Sequence, residues 1–321
     1  MEKREVLTIG AALADLQLRP IPRDIFEKEV HTVERVALTI GGDAINEAVV
    51  ITKLGHQVTL MSMVGADTTG QFVLNHCREN GIDYSGVRVR EDIDTSINVG
   101  LLSEEGVRNC VFGRQNSMWA QSIEDIDFSF FDKGYKILSF ASIYNHPRFD
   151  GKTLQTLFSK AKASGMLLCV DMVSRTDDSE ENFEEMKKAL SYADYFFPNY
   201  GEACGMTGKT EPEEIADVFL SWGIKNVIIK TGAKGCLIKN AEEMHIVPSY
   251  SKAVCIDETG AGDNFASGFI CGLLEGRSFL ECAQFGCAVA SIAVESIGAS
   301  TGVKSREQAQ KRYQEYLELI K

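Results

Sequence analysis

Asp257-Glu258-Thr259-Gly260-Ala261-Gly262-Asp263-Asn264-Phe265-Ala266-Ser267-Gly268-Phe269-Ile270 is a polar, glycine-punctuated turn. It runs straight into a segment with apolar residues at helical spacing, Phe265, Phe269 and Leu273. Gly260, Ala261 and Gly262 carry little or no side chain, so their backbone N–H groups are open to close approach by a ligand. They stand where the first turn of a helix leaves N–H groups unpaired, which makes an anion site. Asp263 puts a carboxylate at the mouth of that site. Negative charge beside an anion cradle is unfavourable unless the carboxylate takes a proton from a group attacking a bound phosphate, so Asp263 reads as a general base.

A second turn of the same kind lies near the start of the chain. Val33–Ile40 is strand-like and delivers Gly41-Gly42-Asp43-Ala44-Ile45-Asn46, after which a helix is expected from Ala48 to Leu54, closed by Gly55. Close backbone approach is again paired with polar side chains at a helix start. Ahead of it, Val6–Gly10 reads as a buried first strand, with Asp15 just beyond its carboxyl end, the edge at which open parallel sheets bind ligands. A dinucleotide fingerprint would need Gly-x-Gly-x-x-Gly at that turn, and only Gly10 is present.

Farther along, a strand over Val58–Val64 leads to Gly65-Ala66-Asp67-Thr68-Thr69-Gly70 and a helix ending near Gly81. Tyr84–Arg90, Ile97–Leu102 and Arg108–Gly113 alternate with the period of antiparallel strands, the last two joined as a hairpin by Glu104-Glu105-Gly106. A short antiparallel sheet beside a parallel core would act as a lid. From Lys136 strands and helices alternate: strands at Ile137–Phe140, Leu167–Asp171, Tyr195–Phe197 and Val227–Lys230, with helices over 150–164, 181–190 and 213–222. Pro198-Asn199-Tyr200-Gly201-Glu202 opens a short helix, and Cys236–Ile238 with Met244–Val247 reads as an edge hairpin. Helices to about Gly276, over 280–296 and from Ser305, with Gln308 placed for a capping box, complete the chain. No repeat, low-complexity segment or proline-rich linker divides it, so residues 1–321 are expected to form one α/β domain with a lid built from about 11–40 and 95–116.

Composition narrows the functional classes. The chain has 321 residues, 33 Lys and Arg against 46 Asp and Glu, and a net charge of -13 with no basic stripe, so nucleic acid and anionic membrane are poor partners. The nine cysteines are scattered without a Cys-x-x-Cys pair, and the five histidines do not cluster, which excludes zinc spacing. Together with the lack of a signal-peptide pattern, free thiols imply a reducing, cytoplasmic setting. Gly205-Met206-Thr207-Gly208-Lys209-Thr210 imitates the tail of a P-loop, but Ala203 stands where that motif needs glycine. Gly208 instead reads as the cap of the short helix begun at Asn199.

Taken together, the two glycine turns resemble the signatures of the ribokinase-like (PfkB) family of carbohydrate kinases. Gly41, Gly42, Asn46, Ala48, Gly55 and Gly65 meet the first signature; Asp257, Thr259, Gly260, Ala261, Gly262, Asp263, Ser267 and Gly268 carry the second. Glu258 departs from it, standing where the family has a small residue. Asn199 with Glu202, the Thr231–Gly235 turn and the element order extend the resemblance over essentially the whole chain.

The resemblance implies a three-layer α/β/α sandwich with a mostly parallel central sheet and a small β-sheet lid. It implies ATP-dependent phosphorylation of a hydroxyl on a sugar: a pentose, a hexose or a keto-deoxy sugar acid. Asp263 would be the base, and Gly260, Ala261 and Gly262 the anion hole. Asp15, Gly41, Gly42 and Asn46 would hold the sugar, and Arg114 would suit a carboxylate or phosphate on it. On the nucleotide side, Asn199, Lys230, Gly232 and Gly235 would meet ATP. Glu202 would organise Mg²⁺ through water, and Asp257 would serve a monovalent cation such as K⁺. A nucleoside kinase of the same fold is the alternative, with Phe112, Met118 and Trp119 as a base slot. A non-catalytic sugar sensor would need neither Asp263 nor the glycine cradle. An exposed lid edge is expected to support a homodimer.

Overall fold

The structure, a computed structural model, describes residues 4–103, 108–175 and 179–321. The Glu104-Glu105-Gly106 turn lies outside the described residues. In chain order the first elements are β1 (Val6–Ile9), β2 (Leu13–Ile21), β3 (Arg35–Gly41), α1 (Asp43–Lys53), β4 (Val58–Met61), β5 (Met63–Gly65), α2 (Thr68–Glu79) and β6 (Arg88–Arg90). Next come β7 (Ile97–Ser103), β8 (Arg108–Phe112), α3 (Ser117–Ala120), β9 (Ile137–Ile143), α4 (Gly151–Ala163), β10 (Leu167–Met172) and α5 (Glu180–Leu190). The chain closes with β11 (Tyr195–Phe196), α6 (Tyr200–Thr207), α7 (Pro212–Ser221), β12 (Asn226–Lys230), β13 (Cys236–Asn240), β14 (Met244–Val247), α8 (Ala261–Leu274), α9 (Phe279–Ala293) and α10 (Arg306–Leu319).

The central sheet runs β14-β13-β12-β11-β10-β9-β1-β4. From β4 to β12 every pairing is parallel, and only the β13–β14 hairpin adds antiparallel strands at one edge. Alternate residues of each strand serve different layers. Val6, Ile137 and Ile228 face a core shared with α1, α8 and α9, whereas Leu7, Leu138 and Ile229 face one shared with α4, α5 and α7. Both faces are covered, which is why the strands read as continuous apolar runs. The fold is the three-layer sandwich.

Local signals end the helices where expected. Gly208, in the left-handed region, closes α6, so the P-loop look-alike is a helix cap. Ser305 accepts from the Gln308 N–H at the start of α10, but the Gln308 side chain bonds the Lys304 N–H instead of completing a capping box. All nine cysteines are free. Among the described residues no helix is long and apolar enough to cross a membrane.

Three expectations are corrected. The 58–64 run is two strands, because at Ser62 the chain leaves the central sheet: its carbonyl accepts from the Arg88 N–H and its hydroxyl donates to the Gly10 carbonyl. Tyr84–Arg90 is not antiparallel; only 88–90 is strand, and it pairs parallel with β5. Helix α1 begins at Asp43 rather than Ala48, so Asn46 lies inside its first turn instead of ahead of it.

A second sheet, β3-β2-β7-β8, stands over the carboxyl ends of the parallel strands, with β2 and β7 parallel and the outer pairs antiparallel. Its register separates two faces. Asp15, Thr39, Asn98 and Phe112 are opposite one another on one face. Leu16, Leu38, Val99 and Val111 are opposite one another on the other. The polar face is the one that matters for the site.

Candidate active site

Two helix starts meet below that face. Gly260 caps α8 with φ +75°, and a Cβ there would lie 2.6 Å from Ala299, so the turn admits only glycine. Asp263 follows in the first turn of α8. At the start of α1, Gly42 takes φ +104°, and a Cβ would strike the Ala11 carbonyl at 2.4 Å. Asp43 locks this turn onto the end of β1: its Oδ1 accepts from the N–H groups of Ala11 (2.9 Å) and Ala44 (2.7 Å), and its Oδ2 from Asn145 Nδ2 (2.7 Å). The two starts are joined directly. Asn46 Nδ2 donates to Asp263 Oδ2 at 2.8 Å.

Between them opens a cavity of about 300 Å³, lined by Asp15, Gly42, Asn46, Asn98, Asn145 and Asp263 with Thr259, Gly260, Leu13, Cys110, Phe112 and Met118. Its polar wall is rich in acceptors. Asn98 Nδ2 donates to Asp15 Oδ1 at 2.7 Å, which leaves Asn98 Oδ1 buried with no partner among the described residues, as is Asn46 Oδ1. Buried oxygens of this kind are costly unless a ligand hydroxyl satisfies them. Among the described residues no lysine, arginine or histidine lines the cavity.

Asp263 is half-buried and opens on the cavity, yet its pKa is pushed up to about 7. Burial is the main cause, with Asp43 and Asp171 adding like charge, while the Asn46 hydrogen bond and Lys230 oppose the rise. A carboxyl poised near neutrality is suited to moving a proton.

A second group gathers beside Gly262. Asn199 and Glu202 form a reciprocal capping box on α6: Glu202 N–H to Asn199 Oδ1 at 2.9 Å and Asn199 N–H to Glu202 Oε2 at 2.8 Å. The Lys230 N–H donates to the Pro198 carbonyl at 2.9 Å, drawing the end of β12 to that box. The half-buried Lys230 ammonium pairs with the buried Asp171 at the end of β10. Glu202 is pushed up to about 7, by burial first and then by Asp171, against the pull of Lys230. Gly232 and Gly235 bound a 3₁₀ turn just past Lys230, and a Cβ on Gly235 would fall 2.0 Å from the Val247 carbonyl.

Two expected residues stand apart. Arg114 lies over the Trp119 ring, 5.7 Å from its centroid, in a neighbouring cleft of about 500 Å³ shared with Arg148, Asp92 and Asp94. Asp257 closes its own loop: Oδ1 accepts from the Thr259 N–H and hydroxyl, and Oδ2 from the Gly298 N–H at 2.9 Å. Residues that sequence reasoning missed are Asn98, Asn145 and Asp171. A signal for two of them existed. Asp171 ends an apolar strand as Asp15 follows one, and Asn98 breaks the apolar run Ile97–Leu102. Asn145 carries no such mark.

The pfkB family carbohydrate kinase model matches residues 3–306. The 2-dehydro-3-deoxygluconokinase of Bacillus subtilis is 27% identical over 286 residues, covering 87% of this chain and 87% of that protein. The ATP-dependent 6-phosphofructokinase of Thermoanaerobacterium thermosaccharolyticum is 28% identical over 303 residues, covering 93% and 90%. Among solved structures, Arabidopsis thaliana ribokinase complexed with ribose and ATP superposes with a TM-score of 0.80 at 22% identity, over 98% of this chain and 99% of that one, a likeness of fold.

Proposed function

The chain belongs to the pfkB family of carbohydrate kinases and is an ATP-dependent sugar kinase; from that premise we propose that Asp263 is its general base and that the 300 Å³ cavity holds the sugar. In this reaction the sugar hydroxyl gives its proton to the Asp263 carboxylate as its oxygen bonds to the γ-phosphorus. The bond from that phosphorus to the bridging oxygen breaks, and ADP leaves with the electron pair. The N–H groups of Gly260 and Gly262 would face the phosphoryl group in flight, whereas the Ala261 N–H, expected in that cradle, is already taken by the Glu258 carbonyl at 3.1 Å. The observation that carries this reading is the 2.8 Å bond from Asn46 to Asp263, which joins the sugar wall to the base. An ADP-release screen over pentoses, hexoses, sugar acids and nucleosides tests it; no sugar-dependent ADP would overturn it.

The nucleotide would lie along Asn199, Lys230, Gly232 and Gly235. Among the described residues no three His, Cys, Asp or Glu side chains converge as a metal cage. The donor near Lys230 is the hard carboxylate of Glu202, which suits Mg²⁺ kept largely in its own water and on phosphate oxygens; the Asp171 carboxylate is engaged by Lys230. When bound, Mg²⁺ supplies positive charge against the phosphates. A K⁺ ion would sit at Asp257, whose carboxylate already braces the loop below Gly260; faster turnover in KCl than in NaCl is its test.

For the substrate, the acceptor-rich wall favours a neutral sugar, whose hydroxyls donate to Asp15, Asn46 and Asn98. A sugar acid is the second reading, supported by Arg114, which makes no ion pair among the described residues and stacks only on Trp119. That substrate would have to extend into the neighbouring cleft. With Arg114→Ala, KM for a neutral sugar is expected to stay within about twofold; a KM rise of tenfold or more confined to 2-dehydro-3-deoxygluconate would establish the acid reading. Phe112 and Met118 give the cavity an apolar side that a nucleoside would use, and the same screen reports it.

The second sheet would serve as the lid, and its outer face supports a homodimer. Val36 is 60% exposed, Leu38 54% and Val111 54%, and they continue across Leu16 and Val99 as one apolar surface. A face of this extent is costly in water. Leu38→Glu with Val111→Glu is expected to convert a dimer to a monomer in sedimentation velocity. A monomeric wild-type chain would dismiss the idea.

A further inference from the structure

Lys230 is half-buried, and its ammonium is not enclosed by apolar packing. The nitrogen lies 3.2 Å from where a Cβ on Gly262 would be, directly against the glycine cradle at the start of α8. Asp171, itself buried, holds it there through an ion pair, and the Lys230 N–H fixes the backbone to Pro198. An ammonium has three donors, and the ion pair engages one carboxylate. Buried pairs contribute little to stability compared with apolar packing, so a pair built beside an anion cradle calls for another explanation.

Resting on the reading that Gly260–Gly262 receives the phosphoryl group, we propose that Lys230 is a catalytic residue donating a charged hydrogen bond to that group, and that Asp171 is the residue positioning it. The ammonium keeps its proton throughout. The proton that moves is the sugar's, to Asp263, as the γ-phosphorus passes from the bridging oxygen to the sugar oxygen and the electron pair leaves with ADP. Charge accumulates on the equatorial oxygens in that transition state, where a preorganised cation is most effective. Burial works against the ammonium, but Asp171, Glu202 and Asp263 outweigh it and hold its pKa above the ordinary lysine value.

The pair also tunes the base. Asp263 faces Asp43, Asn46 and Glu47 from α1, Asp15 from β2 across the cavity, Asp171 from β10 and Lys230 from β12. Lys230 lowers its proton affinity and Asp171 raises it. The two members of one ion pair thus act on Asp263 in opposite directions, so neutralising either one shifts the acidic limb of the rate profile.

The test uses the full chain with MgATP and whichever of D-ribose, D-fructose or 2-dehydro-3-deoxygluconate releases ADP fastest. Lys230→Met is expected to lower kcat by about 100-fold or more, with sugar KM within about twofold, and Lys230→Arg to recover part of the loss. Asp171→Asn is expected to lower kcat by about tenfold through looser positioning. The acidic limb of kcat/KM should move to higher pH in Lys230→Met and to lower pH in Asp171→Asn. A Lys230→Met kcat within about fivefold of wild type, or limbs moving the same way in both variants, overturns the proposal. Should Lys230→Met not fold, Lys230→Arg is expected to leave the acidic limb in place while Asp171→Asn moves it to lower pH, and a limb that moves to higher pH in Asp171→Asn overturns the proposal. Asp263→Asn separates the levels: if it loses turnover while Lys230→Met keeps it, the lysine role alone falls; if it keeps turnover, the site reading falls too.

Discussion

Asp263→Asn is expected to lower kcat by about 10³-fold or more and, in the same protein, to raise the melting temperature above pH 7. The kinetic loss follows from removing the proposed base, a contribution typically of about 10²–10⁴-fold. Asparagine keeps the size and can still meet Asn46, so sugar affinity measured by calorimetry should change by less than about threefold. The stability gain has a different origin. The folded pKa of Asp263 is about 7 against an ordinary 3.8, chiefly from burial and then from Asp43 and Asp171. Between those values the folded chain holds a proton that the unfolded chain has lost. Stability contributed by this group is therefore lost as pH rises from 3.8 to about 7, and the penalty is constant above. The neutral amide of the variant removes that penalty, at most about 4 kcal/mol. Melting curves of the two proteins should separate progressively over this window and coincide below it. A variant less stable at pH 8 would show that the carboxylate is not held at that cost. Wild-type kcat/KM should correspondingly fall below about pH 7.

Gly41→Ala should behave as an Asp15 variant. Gly41 has no left-handed φ, so alanine suits its backbone, but the new methyl would lie 2.1 Å from Asp15 Oδ2. The carboxylate must turn away, breaking its 2.7 Å contact with Asn98 and the geometry proposed to meet the sugar hydroxyls. Two charged hydrogen bonds at about 1.5–3 kcal/mol each give a rise in sugar KM of about 10²-fold or more for Gly41→Ala and Asp15→Ala alike. KM for ATP should be unchanged, since Lys230 and the Asn199–Glu202 box lie on another set of elements. The double variant should be little worse than either single one, because both remove the same interaction. Additive losses would show that Gly41 acts by another route.

Much of this was legible in the residues. The glycine turns at 41–46 and 257–263 are local chemistry: glycines that admit close backbone approach at helix starts, and polar side chains at fixed offsets from them. Asp263, Asn46 and Gly260 follow from that pattern, as does the strand–helix alternation behind the parallel sheet. The misread strands at 58–64 and 84–90 show the boundary, since Ser62 leaves the central sheet only because a partner strand waits at Arg88. The capping box at Asn199 and Glu202 could be read as a local motif, but not its approach to Lys230.

What tertiary structure alone decided is which distant residues meet. Asn46 and Asp263 are 217 positions apart and share a hydrogen bond; Asp171 and Lys230 are 59 apart and share an ion pair. Asn98 joins Asp15 because β2 and β7 pair in parallel, in a register that sequence periodicity does not encode. Arg114, close in sequence to Phe112 on the cavity wall, falls into a different cleft because the chain turns at the end of β8. Local propensity and spacing determine which groups stand ready at the ends of strands and helices. The packing of those elements against one another determines their neighbours, and so sets the proton affinity of Asp263 and the charge beside Gly262.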